Sequence, residues 1–251
     1  MIKKSCQIRN IISYNDEMRK STEDKIWFLN IINQNIKGIY DYGCGDGSLL
    51  MVIHKMYPDL ILIGYDVNFD MISLAQKNLP NATFITKPIH DLTAFLVNVS
   101  SVFHEIHNYS TNIKEDYNNI FGYNAPLIAI RDMFYTEKSC RMTNKKYLST
   151  IYQNQPADKI KDFELYNGSI TENKNFLHFL LKYRYIDNWE REVRENYFPF
   201  SLEEFLKKIP KNYKVIYLHH YTLPFLREQI EKDFGFILED FTHAKILLEK
   251  V

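Results

Sequence analysis

The sequence predicts an α/β fold in which helices cover both faces of a mostly parallel sheet. Three observations lead to this prediction. In the first half of the chain, short apolar runs alternate with amphipathic helical stretches, which is the order of elements in a parallel sheet. Residues 60–65 and 127–131 are largely apolar runs, as in strands that are buried on both faces. The last third carries two strand-like segments, 215–221 and 243–249, around a helical stretch, and this order predicts a terminal antiparallel pair.

The other elements follow from helix signals and hydrophobic spacing. A helix over 47–57 ends before Pro58, and Asn68 is the expected N-cap of a helix over 69–79. Further strands are predicted at 36–42, 83–86 and 95–101, and further helices at 22–33 and 223–233. Residues 133–199 are polar and rich in aromatic residues, with helical character around 176–196 and no strong strand. They predict a helical insertion after the fifth strand.

Composition and charge limit the classes of protein to consider. With 251 residues, 45% of them hydrophobic and 25% charged, the chain predicts a single globular domain over 1–251. The 31 basic and 31 acidic residues balance, which excludes a globally positive nucleic-acid binder but not a local basic patch. The three cysteines give no zinc signature, and no apolar run reaches the roughly 18 residues of a membrane span. We therefore expect a cytoplasmic protein without a metal or a membrane partner.

The segment IYDYGCGDGSLL, residues 39–50, carries three glycines at every second position after the first predicted strand. Glycines between a strand and a helix let the backbone approach a ligand, and the amides of the helix N-terminus point at it. A phosphate-binding P-loop would need a Lys-Ser or Lys-Thr pair, which this segment lacks. A dinucleotide-binding fingerprint would need a glycine where Ser48 stands. The segment fits neither of these two classes well.

The order Asp-x-Gly-x-Gly-x-Gly, which begins at Asp41, resembles the cofactor motif of the class I S-adenosylmethionine (SAM) dependent methyltransferases. Asp66 closes the second strand, where a carboxylate of that family accepts hydrogen bonds from both ribose hydroxyls. The run Ser-Ser-Val-x-His-Glu at 100–105, followed later by Ile-Arg-Asp-Met, resembles an uncharacterised bacterial branch with a methyltransferase domain. The resemblance covers most of the chain. It implies a Rossmann-like sheet of seven strands, with the sixth and seventh antiparallel at one edge.

The resemblance also implies SAM as the cofactor and indicates where it binds. The implied cofactor-binding residues are Asp41, Gly43, Gly45, Gly47, Asp66, Val67, Met71 and Ser100. In the family the adenine lies near the end of the third strand, which here reads Thr-Lys-Pro-Ile at 86–89. The loop after the fourth strand carries substrate and catalytic groups.

His104 lies in that loop and is the candidate proton acceptor, because a histidine titrates near neutral pH. Glu105 and Asp132 are the candidates to orient it or to bind a cationic substrate. A buried, hydrogen-bonded histidine without a catalytic role is the alternative. Arg131, at the carboxyl end of the fifth strand, is a candidate substrate contact, and an ion pair with a neighbour is its alternative.

Two segments are predicted to cover the acceptor. Within the insertion, Tyr185 and Trp189 lie roughly on one face at helical spacing. They either pack in the core or, together with Tyr197, line a lid over the substrate. Residues 1–34 are predicted to form a helical flap at the other end of the chain, with Tyr14 as a candidate substrate contact.

The leading hypothesis is a SAM-dependent methyltransferase that acts on an oxygen or nitrogen atom of a small molecule or short peptide. Modification of RNA or protein is a second hypothesis, which requires a basic surface beside the pocket. The residues that would supply it are Arg141, Lys145, Lys146, Lys182 and Arg184. A third hypothesis is a SAM-binding sensor or scaffold without turnover, since the glycines and Asp66 serve binding alone. The acceptor and the oligomeric state stay open at this point.

Overall fold

The computed structural model describes residues 22–32, 36–89 and 91–251. Seven strands form one sheet: β1 (Gly38–Tyr42), β2 (Ile61–Tyr65), β3 (Thr83–Ile85), β4 (Phe95–Ser100), β5 (Leu127–Met133), β6 (Tyr213–Tyr221) and β7 (His243–Lys250). Their order across the sheet is β3-β2-β1-β4-β5-β7-β6. Strands β1 to β5 are parallel, whereas β7 pairs antiparallel with both β5 and β6. The predicted fold class is confirmed.

The helices pack on both faces of the sheet and fill the segment between β5 and β6. They are α1 (Thr22–Lys25), α2 (Ser48–Met56), α3 (Phe69–Asn78), α4 (Phe103–Tyr109), α5 (Ile113–Phe121), α6 (Lys145–Asn154), α7 (Ala157–Asn167), α8 (Asn173–Lys182), α9 (Trp189–Glu192), α10 (Leu202–Lys208) and α11 (Pro224–Phe234). Asn68 caps α3 as predicted, because its side chain accepts from the N–H groups of Asp70 and Met71. Helices α4, α5 and α10 are not among the predicted elements. None of the described helices has the length and apolar character needed to cross a membrane.

The predicted helix over 22–33 is wrong in its extent. Helix α1 ends at Lys25, and a 3₁₀ turn, Trp27–Asn30, follows it. Trp27 is buried and stacks on Tyr217 of β6, with the ring centroids 5.2 Å apart. The Trp27 ring packs on the sheet at the point where the chain changes from an α-helix to a 3₁₀ turn. Helical spacing alone does not predict this change. Residues 1–21, which include Tyr14 of the predicted flap, lie outside the described residues.

Three hydrophobic cores hold the fold together. Successive residues of β1 point to opposite faces of the sheet, so Ile39 joins the core with α2 and Tyr40 joins the core with α4, α5 and α10. The third core joins helices α6, α7 and α8 of the insertion to α11 and to Met133 at the end of β5. The insertion is therefore packed beside the carboxyl edge of the parallel strands, where open α/β sheets bind ligands.

Candidate functional site

The glycine-rich segment forms the turn between β1 and α2. Gly43, Gly45 and Gly47 have φ angles of 82°, 54° and 77°, in the left-handed region that glycine adopts without steric cost. The N–H of Gly43 donates to the carbonyl of Tyr65 at 2.7 Å and fastens the turn to the end of β2. A Cβ atom on Gly43 would lie 2.6 Å from Val102, whereas one on Gly45 would meet nothing within 4 Å. The turn is therefore tightly packed at Gly43 and open at Gly45.

Asp66 connects this turn to the start of α3. Its Oδ2 accepts a hydrogen bond from the Gly45 N–H at 2.9 Å, and its Oδ1 accepts from the Asn68 N–H at 2.8 Å. Burial raises the pKa of Asp66, and the hydrogen bonds from these backbone groups act in the opposite direction. Because a carboxylate offers about four acceptor positions, both oxygens keep capacity for further donors.

A cavity of about 520 Å³, here called the larger cavity, lies over the turn at the carboxyl ends of β1, β2 and β4. Seven of the eight predicted cofactor-binding residues line it: Asp41, Gly43, Gly45, Asp66, Val67, Met71 and Ser100. Gly47 does not line it, because it packs against the side chains of Phe84 and Ala75. Pro88 also lines the cavity, so the segment after β3 reaches it.

Asp41 is buried at the end of β1 and accepts a hydrogen bond from the Asn98 side-chain amide at 2.7 Å. Burial raises the pKa of Asp41 to about 6, although Asn98 and the nearby Lys25 act against the rise. A carboxyl group with this pKa is ionised at neutral pH, and a cationic ligand would favour the ionised form further.

A second cavity of about 140 Å³, here called the smaller cavity, lies between the end of β5, helix α8 and the start of α11. Its apolar wall consists of Met133, Leu180, Leu181, Leu223, Phe225 and Leu226. Its polar wall includes His104, Arg131, Tyr185 and Tyr197. Four residues line both cavities, namely Lys25, Ser101, Glu105 and Arg191. The two cavities therefore share one wall.

His104 and Asp132 form a buried pair at the smaller cavity. The His104 Nδ1 lies 2.9 Å from Oδ1 of Asp132. That oxygen also accepts from the Met133 N–H, and Oδ2 of Asp132 accepts from the Phe103 N–H. Burial alone would lower the pKa of His104, but the Asp132 carboxylate outweighs burial and the pKa is raised. Burial alone would raise the pKa of Asp132, and the His104 charge and hydrogen bond lower it instead. Because Nδ1 is taken by Asp132, Nε2 is the ring nitrogen left to face a ligand.

Glu105 follows His104 in α4 and lines both cavities. Burial raises its pKa to about 7; the His104 charge lowers the pKa and the nearby Glu195 carboxylate raises it. The raised pKa favours the protonated form of this carboxyl at the wall that the two cavities share.

Arg131 lines the smaller cavity and is also held by an ion pair, which was the alternative to a substrate contact. Its Nε lies 3.0 Å from Asp24 of α1, and its Nη1 donates to the Ser101 hydroxyl at 2.7 Å. Asp24 also pairs with Lys245 of β7 at 2.5 Å.

Asp24 and Lys25 are site residues that the sequence does not predict. No local pattern marks them, because the partners of Asp24 lie more than 100 residues away in the chain.

Tyr185 lines the smaller cavity, but Trp189 lines neither cavity. The Trp189 Nε1 donates to Asp162 at 3.1 Å, and the Lys159 ammonium lies 4.8 Å from the Trp189 ring centroid. Since α8 ends at Lys182 and α9 begins at Trp189, the two aromatic residues do not share a helix face. Trp189 thus lies outside both cavities and contacts other residues of the insertion, as in the packing alternative.

The predicted basic surface does not form as proposed. Lys182 is fully buried, and its ammonium donates to the backbone carbonyls of Glu192 and Glu195. Arg141 is paired in two hydrogen bonds, of 2.9 and 2.8 Å, with Asp240. These two of the five candidate residues are therefore engaged within the protein.

Residues 34–155 match the family described as "Methyltransferase domain". Over 52 residues the chain is 42% identical to a trans-aconitate 2-methyltransferase of Yersinia pestis (strain Pestoides F), and the match covers 21% of this chain. The chain thus spans about a fifth of the length of the curated relatives it matches, since the match covers 20% of that protein.

Two solved structures resemble the fold along nearly the whole chain. The plantazolicin methyltransferase BpumL, in complex with a pentazolic desmethylPZN analog and SAH, is 16% identical with a TM-score of 0.50. That alignment covers 95% of this chain and 89% of the other. The MccD protein is 13% identical with a TM-score of 0.54, over 94% of this chain and 99% of the other. At these identities the likeness shows a shared fold.

Proposed function

We propose that this protein is an enzyme that transfers a methyl group from SAM to an oxygen or nitrogen atom of a small molecule, because residues 34–155 match a methyltransferase-domain family and the sheet has the Rossmann-like order. One observation carries the proposal: the cavity over the glycine turn shares a wall with a second cavity beneath the insertion. A donor in the larger cavity and an acceptor in the smaller one would meet at Ser101 and Glu105. The names of the relatives and the SAH in a structural neighbour support this assignment.

The larger cavity suits SAM in size and in its polar groups. Its volume of about 520 Å³ falls within the roughly 300–1,000 Å³ of small-molecule sites. We assign Asp66 to the ribose hydroxyls, because both of its oxygens keep acceptor capacity, and Asp41 to a cationic group. Gly43 and Gly45 allow close backbone approach, and Val67, Met71 and Ser100 complete the wall. Gly47 supports the site through packing. SAM, when bound, supplies an electrophilic methyl group on a sulfonium centre.

The smaller cavity is the proposed acceptor site, and residues 133–199 are its cap within a single domain of 1–251. A volume of about 140 Å³ holds roughly ten water-sized groups. This size favours a small molecule, or the end of a short peptide, over a folded protein or an RNA helix. We assign Arg131 and Tyr185 to the acceptor, because both line this cavity.

The buried pair is the proposed catalytic base. Asp132 holds the His104 Nδ1, so the neutral ring presents its lone pair at Nε2. His104 Nε2 would take the proton of an acceptor hydroxyl as its oxygen bonds to the methyl carbon and the bond from sulfur to that carbon breaks, which releases SAH; with an ammonium acceptor, it would take the proton before the nitrogen attacks. Enclosure by the insertion excludes water from the reacting groups and fixes their orientation, which is the main requirement of an in-line displacement. Glu105, with a pKa of about 7, would assist by accepting or donating a hydrogen bond at the shared wall.

Incubation with SAM that carries a labelled methyl group, together with an extract of the source organism, tests the proposal. Small molecules, RNA and protein are separated before counting. We expect label in the small-molecule fraction, and far less label after the same time when the His104→Gln variant replaces the wild type. Label confined to RNA or protein would overturn the acceptor class. Binding of SAH without label in any fraction would instead indicate a sensor or scaffold.

A further inference from the structure

Lys25 is a buried lysine at the wall that the two cavities share. It is only 9% exposed, yet it lines both the larger and the smaller cavity. The residue before it, Asp24, is anchored to Arg131 at 3.0 Å, to Lys245 at 2.5 Å and to the Tyr221 hydroxyl at 2.5 Å. Three contacts of Asp24 with the sheet thus hold the Lys25 side chain in place at the shared wall.

Of the carboxylates near Lys25, three have another partner, and the fourth, Glu105, lines the same shared wall. Asp24 is shared by Arg131 and Lys245, and Asp132 is paired with His104. Asp41 accepts a hydrogen bond from the Asn98 amide. In the part of the chain that the structure describes, none of them forms an ion pair with Lys25. A buried ammonium without an anionic partner is costly, since burial removes its hydration.

Arg131 adds a second cation beside this wall, on the side of the smaller cavity. It is 3% exposed and lines the smaller cavity. Its Nε and Nη1 are taken by Asp24 and Ser101, whereas its Nη2 is buried and has no hydrogen-bond partner among the described residues. Burial lowers the pKa of Lys25 to about 8; the nearby Arg131 charge acts in the same direction, and the Asp41, Glu105 and Asp132 carboxylates oppose it. Two buried like charges beside one cavity destabilise each other unless an anion lies between them.

We propose that Lys25 and Arg131 form a carboxylate-binding subsite at the wall shared by the two cavities. An ammonium and a guanidinium donate charge-assisted hydrogen bonds, for which a carboxylate is the matching small acceptor. This proposal rests on the proposed function, because that function provides two molecules that could carry the carboxylate. One source is the amino-acid end of the cofactor in the larger cavity, and the other is an acceptor molecule in the smaller cavity.

Isothermal titration of the full chain distinguishes the sources. The cofactor arm compares SAH with 5′-methylthioadenosine, which lacks the amino-acid carboxylate. The acceptor arm uses SAH-saturated protein and compares acetate, succinate and benzoate with their neutral amides at constant ionic strength. The test variant is Lys25→Met, which keeps the apolar stem and removes the charge, with Lys25→Gln as a second variant. The control is Lys214→Met, because Lys214 of the edge strand β6 is 54% exposed and pairs with Glu249 of β7.

Each outcome decides the proposal. A loss of at least tenfold in SAH affinity in the Lys25 variants, with unchanged affinity for 5′-methylthioadenosine, would assign the cofactor carboxylate. Unchanged SAH affinity, with at least a tenfold loss of the preference for a carboxylate over its amide, would assign the acceptor. Wild-type affinities in both arms would overturn the subsite. If the wild type binds no SAH, the proposed function fails, but the carboxylate-binding subsite is still tested. The carboxylates and their amides are then compared on the protein without SAH.

Discussion

Replacement of Asp66 by asparagine tests the proposed cofactor site directly. Asparagine has the size of aspartate but keeps one oxygen acceptor and replaces the other with an NH₂ donor. In the structure the two Asp66 oxygens accept from Gly45 and Asn68. The substitution therefore preserves one backbone hydrogen bond, loses the other and removes the negative charge.

The size of the effect follows from these contacts. A hydrogen bond to a charged group contributes about 1.5–3 kcal/mol, so loss of one such bond to a ribose hydroxyl weakens SAH binding roughly 10- to 150-fold. The lost hydrogen bond within the turn costs about 1 kcal/mol of folding free energy. We therefore expect a large loss of SAH affinity in a protein that is still folded.

Isothermal titration with SAH measures the affinity, and urea denaturation measures the folding free energy. Asp70→Asn is the matched control, because Asp70 is an exposed carboxylate in the first turn of α3 and lies outside the larger cavity. Equal SAH affinity in Asp66→Asn and the wild type would refute the role of Asp66. An equal loss of SAH affinity in both variants would show that the loss comes from removing a negative charge at a distance and not from a contact of Asp66.

Three further predictions concern the acceptor side and the turn. His104→Gln should leave SAH affinity unchanged and slow methyl transfer by about 10²- to 10⁴-fold, and single-turnover transfer at the wild-type rate would remove His104 as a base. The transfer rate should rise with pH through the raised pKa of His104, because the base must be unprotonated. Asp132→Asn removes the cause of the rise, burial then lowers that pKa, and the midpoint of the pH–rate profile should move to lower pH; an unmoved midpoint would contradict this. Gly43→Ala should destabilise the fold by about 1–3 kcal/mol in urea denaturation. Gly235→Ala has a similar positive φ but open space, so an equal loss there would show that the contact with Val102 is unimportant.

The sequence predicts those parts of the site whose signals are local. The glycine turn and Asp66 are such parts, because the φ values and the strand ends that they require are marked within a few residues. The order of strands β1 to β5 is predictable for the same reason, since each apolar run is followed by a helical repeat or a turn. Asp132 and His104 could be placed at the carboxyl ends of adjacent strands, but their hydrogen bond depends on the start of α4, which the sequence analysis did not predict as a helix.

Spacing arguments failed where the helix they assumed is interrupted. Tyr185 and Trp189 are four residues apart, which places them on one face only if the helix is continuous. The chain instead leaves α8 after Lys182 and enters α9 at Trp189, so one ring reaches the smaller cavity and the other packs against Lys159. Periodicity gives no indication of such a break, because neither glycine nor proline occurs between the two residues.

The shared wall of the two cavities depends on both ends of the described chain. Asp24 of α1 is held by Tyr221 at the end of β6 and by Lys245 of β7, the two strands that form the antiparallel edge. These contacts of Asp24 fix the residue that precedes Lys25 on the C-terminal strands. The parallel half of the sheet thus carries the proposed cofactor site, whereas the antiparallel edge anchors the segment that carries Lys25 of the proposed carboxylate-binding subsite. Because these contacts span about 200 residues of chain, they arise from the topology of the fold, and no reading of local sequence could supply them.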